Sequence, residues 1–200
     1  MRTAALIALA LAGCGPAASG GGGRWPAPPA GTTLPDRVIW DFEHATAAGV
    51  DAFADLFDFA EVGAFEILLH RYDLIGRLEL SDSKRAELAA EQPVPYPAAR
   101  ERRNVSRYFP RFVQRTVGTG GCTGGPPARP YTQLMGQPFE PLPPEHAAYE
   151  PLRARVNAQL VGGGVVGVRC RGGHGGLALV YSPRPTPRGY ALITIYDDGE

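Results

Sequence analysis

Lysine is all but missing from this chain of 200 residues: Lys84 is the only one, so the positive charge is carried almost entirely by arginine. With alanine, glycine and proline abundant, that bias points to a GC-rich coding sequence rather than to a chemical demand. Neither sign of charge is in excess. Twenty basic residues balance 20 acidic ones, and a formal net charge of zero argues against a dedicated nucleic-acid binder. The four histidines are scattered, with no H-E-x-x-H and no second histidine at ligand spacing, so no metal or cofactor site is expected. Beyond the N-terminal segment no apolar run approaches the roughly 20 residues of a membrane-spanning helix.

What is present begins at the N-terminus. Met1-Arg2-Thr3 supplies a short basic start, Ala4 to Leu11 an apolar core, and Ala12-Gly13 a small-residue site directly before Cys14. Those are the three parts of a secretory signal, and the core is too short to span a bilayer. Leu11-Ala12-Gly13-Cys14 resembles the lipobox of bacterial lipoproteins. The resemblance implies that residues 1–13 are a signal peptide cut off before Cys14. The Cys14 thiol would receive a diacylglycerol and the new amino group a further acyl chain, making membrane lipid a partner. Two or more chains hold a protein at a membrane stably, where one does so only marginally. Gly15 is not the aspartate that retains such proteins at the inner membrane of enteric bacteria, so the resemblance favours an outer-membrane address in the cell envelope.

Residues 14–33 read as the lipidated cysteine and a tether. The segment is almost all Gly, Pro, Ala, Ser and Thr, with Gly20 to Gly23 at its centre, and buries too little apolar surface to offset the entropy of ordering. Trp25 is expected there as a solvated linker residue. Residues 34–200 have the size and composition of a single globular domain. Within it Cys122 and Cys170 form an even pair, and in an oxidising compartment they are expected to be bonded to each other.

The domain reads as α+β: N-terminal helices packed on a C-terminal three-stranded antiparallel meander. Asp51 is a candidate N-cap for a helix carrying Phe53, Leu56, Phe57 and Ala60. A second helical pattern runs through Phe65, Leu68, Leu69, Tyr72 and Ile75 to Gly76. Lys84 to Glu91 and Pro97 to Thr116 are further helices, the latter kinked or divided at Pro110. A loop is expected from Gly118 to Pro130, then a helix with Leu152, Val156 and Leu160 that stops at Gly162-Gly163-Gly164. Three strands follow, Val165 to Arg171, Leu177 to Ser182 and Tyr190 to Tyr196, separated by a turn over 172–176 and one from Pro183 to Gly189. Alternation sets Val166, Val168 and Cys170 on the face that meets the core. The last strand is apolar on both faces, which calls for a central position or cover on both sides. The stretch from Phe42 to Phe59, helical with an Ala-Gly-Val-Asp break, resembles the opening helices of nuclear transport factor 2-like (NTF2-like) domains. That resemblance implies helices against a curved sheet, often around a pocket, and no particular activity.

Several short motifs invite catalytic readings. Ser81-Asp82-Ser83-Lys84 matches the S-x-x-K of penicillin-binding proteins and β-lactamases, but with one lysine no K-T-G element can exist, and a polar helix start is preferred. Gly120-Gly121-Cys122-Thr123-Gly124 has the spacing of a nucleophile elbow without a preceding strand or a following helix, and a disulfide would remove the thiolate. Gly162 to Gly167 satisfies G-x-G-x-x-G but leads from helix to strand, the reverse of the dinucleotide loop. Glu66 and His70 lie four apart on one helical face with Asp73 one turn on. Together they could form an acid/base pair or a partial metal site, although an intrahelical polar pair is the plainer reading. His174 in its glycine-rich turn and His44 beside Asp41 and Glu43 read as surface residues.

The most informative internal pattern is one of arginines. Arg100, Arg103, Arg107, Arg111 and Arg115, if helical, share an arc of about 120°. Val105, Tyr108, Phe109, Phe112 and Val113 take the other side. Such a face suits phosphate or carboxylate groups of lipid, lipopolysaccharide or peptidoglycan, for which the planar guanidinium fork is adapted. The plainer reading is a solvated face, or one paired with Asp51, Asp55, Asp58 and Glu61. Two functions remain: a non-catalytic envelope module for binding or scaffolding, with an anionic envelope component or another envelope protein as partner, or a small periplasmic hydrolase or transferase with its site near Glu66, His70 and His174.

Overall fold

A computed structural model describes residues 25–76, 81–114, 122–124, 128–134, 139–171 and 176–197. Cys14, most of the tether, Arg115, His174 and the first two glycines of the elbow-like motif lie outside the described residues. Helix α1 (Leu34–Ala48) opens on Thr33, whose hydroxyl accepts from the Asp36 N–H, with proline and Asp36 in its first turn. It ends at Gly49, where φ of 107° is open to glycine and strained for other residues. The same glycine starts α2 (Val50–Ala54), so Asp51, expected as the N-cap, stands inside the first turn, where its charge still favours the helix N-terminus. Helices α3 (Phe59–Gly76) and α4 (Asp82–Ala90) fall where periodicity sets them, the second capped by the Ser81 hydroxyl on Lys84 N–H at 3.3 Å. Helix α5 spans Ala98–Phe112.

The sheet is α+β in the expected sense, with three long antiparallel strands at its heart: β3 (Gly164–Cys170), β4 (Gly176–Pro183) and β5 (Tyr190–Asp197). Two short strands, β1 (Cys122–Gly124) and β2 (Arg129–Pro130), line the other edge of β3, where the sequence suggests only a loop. Strands of three and two residues carry no periodic signal; the open backbone groups of β3 recruit them. Between β2 and β3 come the short α6 (Tyr131–Leu134), a 3-10 turn (Pro144–Tyr149) and α7 (Glu150–Val161). The outer edge of β5 is met by the chain between α2 and α3: Leu192 N–H donates to Leu56 O at 2.8 Å, and Asp58 N–H donates to Leu192 O at 3.2 Å.

Both faces of the sheet are buried. Val166, Val168, Leu179 and Leu192 pack against Val38, Phe42 and Phe53 from α1 and α2, while Val165, Val180 and Ile193 pack against Phe65 and Leu68 of α3 and Val156 and Leu160 of α7. The last strand is thus covered twice, as its two apolar faces require, although it pairs at the edge of the sheet rather than in its middle. No described helix is long and apolar enough to cross a membrane.

Two buried polar residues anchor the helices. Arg71 on α3, 2% exposed, donates to Leu88 O at 2.6 Å, to Glu91 at 2.8 Å and to the Tyr149 hydroxyl, and its guanidinium lies 4.2 Å from the centre of the Tyr149 ring. This ties the end of α4 and the 3-10 turn to α3. Asp41 on α1 accepts from Tyr190 Oη at 3.0 Å and from Trp25 Nε1 at 2.9 Å. Trp25 is therefore not the solvated residue its linker surroundings suggest. An indole N–H seeks an acceptor, Asp41 supplies a buried one, and Arg188 lies 4.9 Å over the ring. Packed structure thus includes Trp25, ahead of the Leu34 boundary.

Gly63 on α3 receives Tyr96 N–H at its carbonyl, and a Cβ at this position would fall well inside van der Waals contact of the Tyr96 carbonyl oxygen. Alanine gains up to about 1 kcal/mol over glycine inside a helix, but a clash with backbone cannot be relieved by a rotamer. Gly63→Ala is expected to lower the urea midpoint, with a net loss of roughly 1–3 kcal/mol; an unchanged or higher midpoint would mean that the segment around Tyr96 is free to move aside.

Candidate functional site

Helix α5 divides the surface into two environments. It runs undivided through Pro110 to Phe112, without the break expected at the proline, and the end of the expected helix, residues 115–116, lies outside the described residues. Its inner side carries Val105, Phe109 and Phe112 into the first core, and Phe109 and Phe112 stand 5.0 and 5.3 Å from the Phe53 ring. Tyr108, expected on that side, is 55% exposed, since it falls at the boundary of the apolar arc.

The outer side bears the arginines. Arg100, Arg103, Arg107 and Arg111 are all exposed. Arg100 stacks 3.6 Å over the Tyr96 ring and places Nε 3.4 Å from Glu101 Oε1. Arg103, Arg107 and Arg111 make no ion pair among the described residues. Three of the four carboxylates that the sequence offers as internal partners are taken by other arginines: Asp55 by Arg102 at 2.8 Å, Asp58 by Arg184 at 3.3 Å and Glu61 by Arg155 at 3.8 Å. The three arginines one turn apart are therefore a solvated cationic stripe.

On the other flank of α5 lies a groove of about 440 Å³, floored by Phe53, Phe57, Phe109 and Phe112 and closed by α3 and the β5 residues Ile193 to Ile195. Two carboxylates enter this apolar setting, Glu66 from α3 and Glu101 from α5. Glu101 is 5% exposed; Oε2 accepts from Asn104 Nδ2 at 3.2 Å, while Oε1 is buried with no hydrogen-bond donor. Burial raises the Glu66 carboxyl above the ordinary range, the Glu101 charge raises it further, and Arg100 pulls the other way.

The partners of Glu66 are thus not those suggested by helical spacing. His70 and Asp73, on the same helix, are exposed. Glu101 was readable as part of the site: at 101, 105, 109 and 112 it continues the apolar stripe of an amphipathic helix, and a carboxylate on such a stripe marks either a buried pair or a site. A second unforeseen residue is His146, 5% exposed with Nδ1 lacking a partner, whose pKa is lowered by burial and then by Arg71.

The other motifs resolve into structural roles. Cys122 and Cys170 are bonded and face each other across β1 and β3. With a sequence separation of 48, the chain-entropy model assigns the cross-link about 4 kcal/mol. Cys122 is consequently neither a thiolate nor on a strand-to-helix turn. Lys84 pairs with Glu87 at 2.7 Å, on the helix that Ser81 caps. Gly162 closes α7, as a helix stop should. His44 bonds Trp40 O through Nδ1 at 2.8 Å and stacks on the Trp40 ring. Among the described residues, no three His, Cys, Asp or Glu side chains come together in a way that could hold a metal ion. A larger hollow of about 690 Å³ at the β4–β5 turn is lined by Asp55, Asp58, Arg102, Arg184 and Arg188, whose charges are spent on bonds to one another and to the backbone. Comparison with protein-family profiles, with curated proteins and with solved structures finds no match for this chain.

Because the folded state raises the Glu66 pKa, the stability it contributes is complete below the unfolded value of 4.5 and is lost as pH rises through the folded value. Glutamine has no proton to lose. Glu66→Gln is expected to match wild type in urea unfolding near about pH 4 and to exceed it near about pH 7. A difference that stays constant between the two pH values would show that the carboxyl is not held above its ordinary range.

Proposed function

We propose that this chain is a lipid-anchored protein of the bacterial cell envelope, held at the membrane through acylated Cys14. Its folded domain would serve as a non-catalytic binding or scaffolding module. The observation that carries the reading is the Cys122–Cys170 bond. Such cross-links form and persist in oxidising compartments, which is where the signal-like segment ending in Leu11-Ala12-Gly13-Cys14 would send the protein. With two of the three cysteines joined to each other, Cys14 is the one left for acylation. Gly15 favours the outer membrane over the inner.

The docking of Trp25 shortens the leash between anchor and domain to about ten residues. A Gly-rich segment of that length has a root-mean-square reach of roughly 17 Å. A tether of that reach lets the domain approach to within about one Debye length of the headgroups, about 8 Å at physiological salt, where exposed charge matters. Arg103, Arg107 and Arg111 would then engage phosphate or carboxylate groups of the envelope, to which unpaired guanidinium groups are suited.

Cys14→Ser is expected to abolish incorporation of labelled palmitate and to move the protein from the membrane pellet to the soluble fraction; labelling that persists would overturn the anchor. For the arginine face, replacing Arg103, Arg107 and Arg111 with glutamine is expected to weaken sedimentation with vesicles containing anionic phospholipid, and salt should weaken the wild-type interaction likewise. Equal binding to neutral and anionic vesicles, insensitive to salt, would remove the arginines from the function.

A further inference from the structure

The groove beneath α5 has a chemistry opposite to that of the arginine stripe on the same helix. Its floor is aromatic, from Phe53, Phe57, Phe109 and Phe112, and its charged groups are both acidic, Glu66 and Glu101. Glu101 Oε1 is buried and receives no hydrogen bond, an expensive state for a carboxylate oxygen. Arg71 has three hydrogen-bonded partners and Asp41 two donors; Glu61 Oε2 is likewise buried without a hydrogen bond, 3.8 Å from Arg155 Nε, but Glu61 does not line this groove. The local charge is also unbalanced. Two carboxylates face one guanidinium, that of Arg100, which approaches Oε1 at 3.4 Å without a hydrogen-bonding geometry and spreads its face on the Tyr96 ring instead. One negative charge remains over.

We propose that this groove binds a small monocationic amphiphile, an aryl- or alkyl-ammonium whose N–H groups meet Glu101 and Glu66 and whose apolar body lies on the phenylalanine floor. A primary ammonium brings three donors and no acceptor, which is what an undonated carboxylate oxygen beside a second carboxylate calls for. The aromatic rings add attraction for a cation and cover for a hydrocarbon. A groove of about 440 Å³ is within the range of small-molecule sites. A neutral hydrocarbon would leave Oε1 without a donor, and an anion would meet like charge. A dication would exceed the single surplus charge that Arg100 leaves. Burial and the neighbouring carboxylate hold the Glu66 proton more tightly, in keeping with a site short of positive charge.

The test is calorimetric titration of the full-length, detergent-solubilised protein with 2-phenylethylammonium and with its neutral counterpart 2-phenylethanol. The ammonium is expected to bind at least about tenfold more tightly than the alcohol. Glu101→Gln and Glu66→Gln should each reduce that preference towards equality while leaving the affinity for the alcohol little changed. Arg100→Gln should raise the affinity for the ammonium, since it removes the competing cation; a variant weakened only in folding would not do this. Equal affinity for the two probes overturns the proposal, as does the absence of binding by either. A preference for the ammonium that survives both glutamine substitutions also overturns it, because the cation would then be recognised elsewhere.

Discussion

The rest of the domain depends on a meander of three strands that is apolar on both faces. Val166, Leu179 and Leu192 look one way and Val165, Val180 and Ile193 the other, so neither face can be left to water. Each face needs its own layer, and the helices supply two, with α1, α2 and the inner side of α5 on one side and α3 and α7 on the other. The chain must therefore pass around the sheet between α2 and α3. It does so at residues 56–58, where it bonds to the open edge of β5 at Leu192. That passage covers a strand edge that would otherwise present unpaired backbone groups, and it places Phe57 at the floor of the groove.

Both features proposed to bind a partner, the arginine stripe and the groove, involve α5, because that helix lies at the seam where the two layers meet. One flank packs phenylalanines onto the first core, another faces α3, and the third faces solvent. Opposite charges can occupy one helix only because these flanks are separated. Arg103, Arg107 and Arg111 repeat every four residues outward, while Glu101 continues the apolar repeat inward. Asp55, Glu61 and Asp58, three of the acidic residues that might have neutralised the outer stripe, are engaged with Arg102, Arg155 and Arg184, arginines on other faces or elements. A chain with no net charge thereby keeps a locally cationic surface and a locally acidic groove.

Buried polar groups show how much of this arrangement is structural. Arg71 and Asp41 are each surrounded by donors or acceptors of the right kind, and each ties together segments distant in the chain: α3 to the end of α4 and the 3-10 turn, and α1 to Trp25 and β5. A paired, fully hydrogen-bonded charge costs little to bury, whereas one left without a partner costs several times more. Glu101 and Glu61 each keep a buried carboxylate oxygen without a hydrogen bond, and of the two Glu101 is the one that lines the groove.

Much of this was legible in the sequence. The cysteine bond follows from an even pair within the domain. The helix read from Asp51 through Ala60 instead ends at Ala54, and α3 begins at Phe59. Helices α3, α4, α5 and α7 and the three long strands follow from residue spacing, because periods of 3.6 and 2 are imposed by the local backbone. The arginine stripe was legible for the same reason, since residues four apart share a helical face whatever the helix packs against. The two short strands opposite β3 were not, since they exist only through the partner that recruits them. What the tertiary structure alone decided are the meetings across distance: Trp25 with Asp41, 16 residues on, and Asp41 with Tyr190, 149 residues on. The convergence of Glu66 with Glu101 in one groove, and the assignment of each carboxylate to one arginine rather than another, belong to the same class. Local spacing fixes which face a side chain occupies, but charges and hydrogen bonds act on what lies within a few ångströms, and only the packing of two helical layers on a common sheet sets that.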